Sequence, residues 1–117
     1  MAYQSVINEA RDLANMNDLE KKHVPMIHID GTPKAGEPFE VTVWLGELLA
    51  HPMEAGHHIE FIDLYLDDTF ISRCDLSWGH TYPKACFSVV MDQPGTLRAF
   101  ERCNLHGDWT YSVNITL

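Results

Sequence analysis

The chain has 117 residues, with eight lysines and arginines against seventeen acidic residues and a formal net charge of −9. That length makes one domain, able to bury roughly 65% of its unfolded surface without a disulfide, and that charge makes nucleic acid and anionic membranes poor partners. The opening MAYQSVINEARDL joins no basic stretch to an apolar run, and no window approaches the ~20 apolar residues of a membrane span, so neither secretion nor insertion is expected.

Val6, Ile7, Ala10, Leu13 and Ala14 recur at helical spacing, which predicts a short amphipathic helix over residues 4–16, ending near Asn15 or Asn17. Beyond it the period changes to two. HVPMIHID reads as a short first strand, and GEPFEVTVWLG follows with Phe39, Val41, Val43 and Leu45 alternating with polar positions or Trp44. HHIEFIDLYL, TFISRC, KACFSVVM and GTLRAFERC supply four more runs, and the last alternates Trp109, Tyr111, Val113, Ile115 and Leu117 with polar residues. Turn signals at Asp30-Gly31, Asp67-Asp68 and Pro94-Gly95 separate them. Seven short strands at this density predict an all-β protein, an antiparallel sandwich of immunoglobulin-like type with a short N-terminal helix. Residues 1–18 would be a helical extension and residues 19–117 the sandwich domain.

The three cysteines, Cys74, Cys86 and Cys103, are too few and too widely spaced for a disulfide framework and suit a reducing cytoplasm. Cys74 and Cys86 fall within strands and are expected to pack as small hydrophobes. Seven histidines are many for this length, a first hint of metal. The loops of a sandwich gather at its two ends, so distant residues can meet there. The unusual residues lie in Lys21-Lys22-His23-Val24-Pro25, in the segment from His51 to His58, in Trp78-Gly79-His80, and in Cys103-Asn104-Leu105-His106-Gly107. Alone, the C-x-x-H pair fits a metal clamp, a nucleophile beside its base, or ordinary loop residues. Its close spacing favours a shared metal over proton transfer, because thiol hydrolases usually draw their histidine from far along the chain. His51 and His57 bracket Pro52 and Gly56, which suit a tight loop with both rings facing one centre. His28 and His80 have no partner motif and are read as ordinary surface residues. Thiolate with imidazoles suits iron, copper or zinc rather than magnesium or calcium.

EKKHVP, HPMEAGHHIEFIDLY and CNLHGDW together resemble the superoxide reductases, which include neelaredoxin and the iron-centre domain of desulfoferrodoxin, from about Glu20 to Leu117. The resemblance implies one mononuclear iron held equatorially by His23, His51, His57 and His106 and axially by Cys103, with the sixth position open. It implies reduction of superoxide to hydrogen peroxide, with one electron from ferrous iron and two protons from solvent. Lys22 matches the family lysine that draws in superoxide and helps protonate the product, and Lys21 is a further candidate for that field. The family glutamate stands two places before the histidine, where this chain has Lys21. If the segment is extended, Glu20 is turned to the opposite side and kept from the metal. The resemblance also implies a rubredoxin or similar small redox protein as electron donor. A homo-oligomer, dimer or tetramer, is expected. A cupredoxin-like electron carrier is disfavoured because no methionine follows His106, and a structural zinc site because five donors exceed the usual closed four.

Overall fold

A computed structural model of the chain describes residues 7–117. Two sheets form a sandwich. The larger has the order β1-β8-β7-β4-β5, from β1 (Ile7–Asn8), β4 (Ile59–Leu66), β5 (Thr69–Asp75), β7 (Gly95–Cys103) and β8 (Gly107–Ile115). The smaller has the order β2-β3-β6, from β2 (Met26–Ile29), β3 (Phe39–Trp44) and β6 (Lys84–Val89). All seven strands expected from alternation are present as β2 to β8. Their inward residues make one core, in which Val41, Val43 and Phe87 of the small sheet meet Ile62, Leu64, Leu97 and Ala99 of the large one. Each fully buried leucine or isoleucine there contributes about 1.5–3 kcal/mol relative to exposure.

The start of the chain departs from expectation. Positions 4 to 6 of the expected helix lie outside the described residues. Positions 7 to 16 are not helical: Ile7–Asn8 form β1, which pairs parallel with Asp108 and Trp109 of β8 and extends an otherwise antiparallel sheet. The only helix among the described residues is α1 (Asp18–His23). Asn17 caps it, accepting the Glu20 amide proton while the Glu20 side chain accepts the Asn17 amide proton, so both ends of the first turn are satisfied. Cys74 packs against the core as expected, but Cys86 does not: it lies exposed on the outer face of β6, its sulfur 3.4 Å from Thr42 Oγ1.

The topology brings three connections to one end of the sandwich. Met26, at the start of β2, pairs with Trp44 at the end of β3, so α1 and the segment after β3 lie together. Ile59, at the start of β4, pairs with Cys103, which pairs with Gly107. A bulge between Ile59 and Phe61 shifts the β4–β7 register beside Cys103. It resets the alternation, so that Ile59 and Ile62 both point inward although three residues apart.

Candidate metal centre

Each donor owes its place to a local device. His23 ends α1 and is completely buried, its Nδ1 2.7 Å from the Leu19 carbonyl one turn earlier. His51, 5% exposed, follows a reversal at Gly46, whose φ of +75° favours glycine. A Cβ at Gly46 would stand 2.5 Å from the His51 nitrogen, so only glycine lets the chain fold back this closely. His57 closes a tight turn with Glu54 through N···O distances of 2.9 and 3.1 Å. Cys103 ends β7, and His106 sits in the short loop that Gly107 closes at φ +79°. Asn104 ties the second and third segments together: its side chain accepts the His58 amide proton at 2.8 Å and donates to the Gly56 carbonyl at 3.0 Å, on either side of His57.

The four rings form a near-square. Successive centroids are 4.7 Å apart for His23–His51, 4.6 Å for His51–His57, 5.0 Å for His57–His106 and 4.9 Å for His106–His23. Neighbouring rings stand at 67° to 84°, while the opposed pair His23 and His57 is 6.3 Å apart at 27°. Donor atoms of His23, His51, His57 and Cys103 all lie within 4.8 Å of one another, and the Cys103 sulfur is 3.8 Å from His106 Nδ1.

The protonation pattern fits a cation among them. Carbonyl oxygens accept only, so the bonds from His23 Nδ1 to Leu19 and from His51 Nδ1 to Pro52 place the ring proton on Nδ1 and leave a lone pair on each Nε2. Those two Nε2 atoms face each other at 3.2 Å. A proton between them would relieve the repulsion, but burial lowers the pKa of both rings to about 4, so near neutral pH they do not hold one. His57 Nε2 is buried with no partner, and burial lowers its pKa as well. Burial pushes the Cys103 thiol up, against the pull of the His106 and Leu105 amides, so the thiolate needs a positive ion beside it. Imidazole nitrogens with a thiolate suit iron.

The desulfoferrodoxin family model matches residues 15–112. The chain belongs to the desulfoferrodoxin family. It is 33% identical over 105 residues to a superoxide reductase of Pyrococcus abyssi, covering 81% of this chain and 88% of that one. It is 31% identical over 115 residues to a neelaredoxin of Megalodesulfovibrio gigas, covering 83% of this chain and 88% of the other. Among solved structures, a neelaredoxin-type superoxide reductase of Ignicoccus hospitalis superposes with a TM-score of 0.74 at 33% identity, covering 80% of each chain. Desulfoferrodoxin-family membership and the donor set point to an iron site.

Around the site of this desulfoferrodoxin-family chain, the Lys22 ammonium acts electrostatically on both His23 and His57. Lys21 shares its turn of α1. Glu20 is engaged elsewhere: one carboxylate oxygen accepts the Asn17 amide at 2.9 Å and the other the Arg11 amide at 2.8 Å, bonds that hold its pKa below the usual value. The segment is helical rather than extended, so Glu20 and His23, three apart, share a buried face. What holds the carboxylate is the helix cap, not strand parity. His58 bonds the Glu54 carbonyl through Nδ1 at 2.8 Å, and His28 pairs with Glu47 away from the site. His80 is exposed beside Tyr82 in a shallow depression next to His51 and Met53.

One residue escaped the sequence reading. Glu101 is 1% exposed on the same face of β7 as Cys103, neither carboxylate oxygen has a partner, and burial raises its pKa well above the usual range. Burial thus favours the uncharged form of this acid, two residues from Cys103 on the same strand face. Its signal was parity, since Leu97, Ala99, Glu101 and Cys103 alternate inward.

Gly46→Ala is expected to cost about 1–2 kcal/mol from the left-handed conformation alone, with a further cost from the collision at His51, and to weaken metal binding. Urea unfolding and a metal titration measure both. Wild-type binding would mean that the loop yields without moving His51.

Proposed function

We infer that this protein is a superoxide reductase, converting superoxide to hydrogen peroxide at one mononuclear iron. His23, His51, His57, His106 and Cys103 are the residues that would hold the ion, and five protein donors would leave it room for a small anion such as the substrate. The near-square of rings with a sulfur beside it carries this reading, because a closed structural site has no use for a fifth donor. When bound, iron supplies the electron and, as a ferrous centre among neutral rings and one thiolate, a net charge of about +1 for the anion. The protein supplies the rest. Buried imidazoles that hold no extra proton keep lone pairs available for the ion, and the Cys103 thiolate would be the electron-rich donor that makes a bound ferrous ion a good reductant. A metal assay on anaerobically purified protein, paired with oxidation of the ferrous form by superoxide and no evolved oxygen, tests the whole reading. Zinc or copper as the native metal would sink it.

Capture has to overcome a chain charge of −9, which repels an anion. Lys22, helped by Lys21, provides the local positive field and a proton for the product. Lys22→Ala is expected to slow second-order capture about tenfold at low salt and to flatten its dependence on ionic strength. Stopped-flow rates that are unchanged across salt concentrations would remove this role. With both Glu20 oxygens committed to backbone amides, this chain works without a carboxylate cap on the sixth position.

Residues 19–117 are the iron-binding unit, with 1–18 as its N-terminal extension. Rubredoxin or a similar small redox protein is the proposed donor. Unbridged thiols at Cys74, Cys86 and Cys103 fit a reducing cytoplasm. Among the described residues no helix is long and apolar enough to cross a membrane. Exposed Phe70 and Ile71 on β5, the last strand of the large sheet, support assembly into a dimer or tetramer. Sedimentation at the monomer mass would refute that assembly.

A further inference from the structure

None of the five donors lies on β8, yet one β8 side chain touches two of the segments that carry them. Trp109 is 4% exposed and pairs with Glu101 on β7 and Asn8 on β1. Its indole stacks on the His23 imidazole, centroid to centroid 5.1 Å at 22°, and its Nε1 donates to the His106 carbonyl at 3.2 Å. His23 comes from α1 and His106 from the β7–β8 loop, so this single ring joins the first ligand along the chain to the last. The hydrogen bond to Leu19 fixes one edge of the His23 ring, and the indole lies against its face, with His23 nearly perpendicular to both His51 and His106.

We propose that Trp109 is a positioning residue of the metal centre, fixing the plane of His23 by stacking and the loop that presents His106 by its N–H. The inference rests on the metal-centre reading above. A tryptophan that merely filled space would affect stability when removed, and nothing else. A residue that orients ligands also alters how the ion is held, and partners of this kind typically change metal affinity by 10–100-fold.

The test is a titration of metal-free protein with cobalt(II), following the visible ligand-field and sulfur-to-cobalt bands, with urea unfolding of the same samples. Trp109→Leu removes both contacts and is expected to weaken cobalt binding by roughly 10–100-fold and to shift the bands. Trp109→Phe keeps a stacking face, loses the N–H, and is expected to bind less than tenfold more weakly with a smaller shift in the bands. If Trp109→Leu does not fold, Trp109→Phe decides: wild-type affinity and bands in that variant overturn the proposal. So does a folded Trp109→Leu that has lost stability but binds and absorbs as wild type does. Failure of the unsubstituted protein to bind cobalt would overturn the metal centre itself, and the brace with it, before any variant is made.

Discussion

Replacing Cys103 by serine is expected to abolish superoxide reduction while the sandwich remains folded. The sulfur sits at the inner end of β7, opposite Ile59 and within the main core, so serine fits its volume and costs little packing. What changes is the donor. The Leu105 and His106 amides still point at the side-chain atom, but a hydroxyl is far harder to deprotonate than a thiol, and Glu101 on the same strand face adds no positive charge. The four rings can retain some metal, without the electron-rich ligand that makes a ferrous centre a good donor. The expected loss in second-order rate exceeds the roughly 10–100-fold typical of removing an outer partner, and the sulfur-to-iron charge-transfer band of the oxidised protein should vanish. Rapid mixing with superoxide, with iron quantified in the same sample, measures both. Undiminished turnover at full iron content would show that the Cys103 sulfur is not the ligand the reaction depends on.

Most of this architecture was legible in the chain because a strand half-buried in a sandwich has to alternate, as β3 and, from Leu97 on, β7 do, while β8 alternates in sequence but buries Thr110 beside Trp109. Four of the candidate donors carried a local signal, His51 and His57 in the loop around Pro52 and Gly56 and Cys103 with His106 before the Gly107 turn, whereas His23, at the end of α1, had none and came from the family resemblance. Failures came where tertiary contacts override local pattern. Ile7 has helical partners in sequence but an open edge of β8 in space, and pairing with that edge won. The true helix announced itself by Asn17 and Glu20 at capping-box spacing, a signal that outweighs five apolar residues at roughly the right period. Cys86 follows the parity of an outward position in β6, between inward Ala85 and Phe87, and its chemistry as a small hydrophobe did not change which way it pointed. Trp109 was read correctly as an inward strand residue. What it touches depends on where α1 ends, and nothing in its own strand encodes that.

Metal uptake near pH 7 should release about one proton per site, and that proton should come from Cys103. Burial lowers His23 and His51 to about 4 and lowers His57 too, so these rings already bind metal in their neutral form and give up nothing. The thiol is held above its ordinary value and must ionise to bind. Affinity should therefore rise about tenfold per pH unit from about pH 7 up to the thiol's raised pKa, and more steeply in acid, where histidines also have to be stripped. In the metal-free protein the same shifts act on folding. A histidine with a lowered folded pKa leaves the unfolded chain binding more protons, so its contribution is present above about 6.5 and is lost as pH falls toward 4. Glu101, whose folded pKa is raised, has the opposite sign: its contribution is present below the ordinary carboxylate range and is lost as pH rises. Removing the ion should thus leave a protein that loses the histidine contribution in acid and, at a free metal concentration of 1,000 times Kd, forgoes about 4 kcal/mol of stability. Calorimetric titration with cobalt(II) in buffers of different ionisation heat counts the protons directly. A count near zero would mean that Cys103 is already a thiolate without metal, and a count near three would mean that the rings are not held neutral by burial.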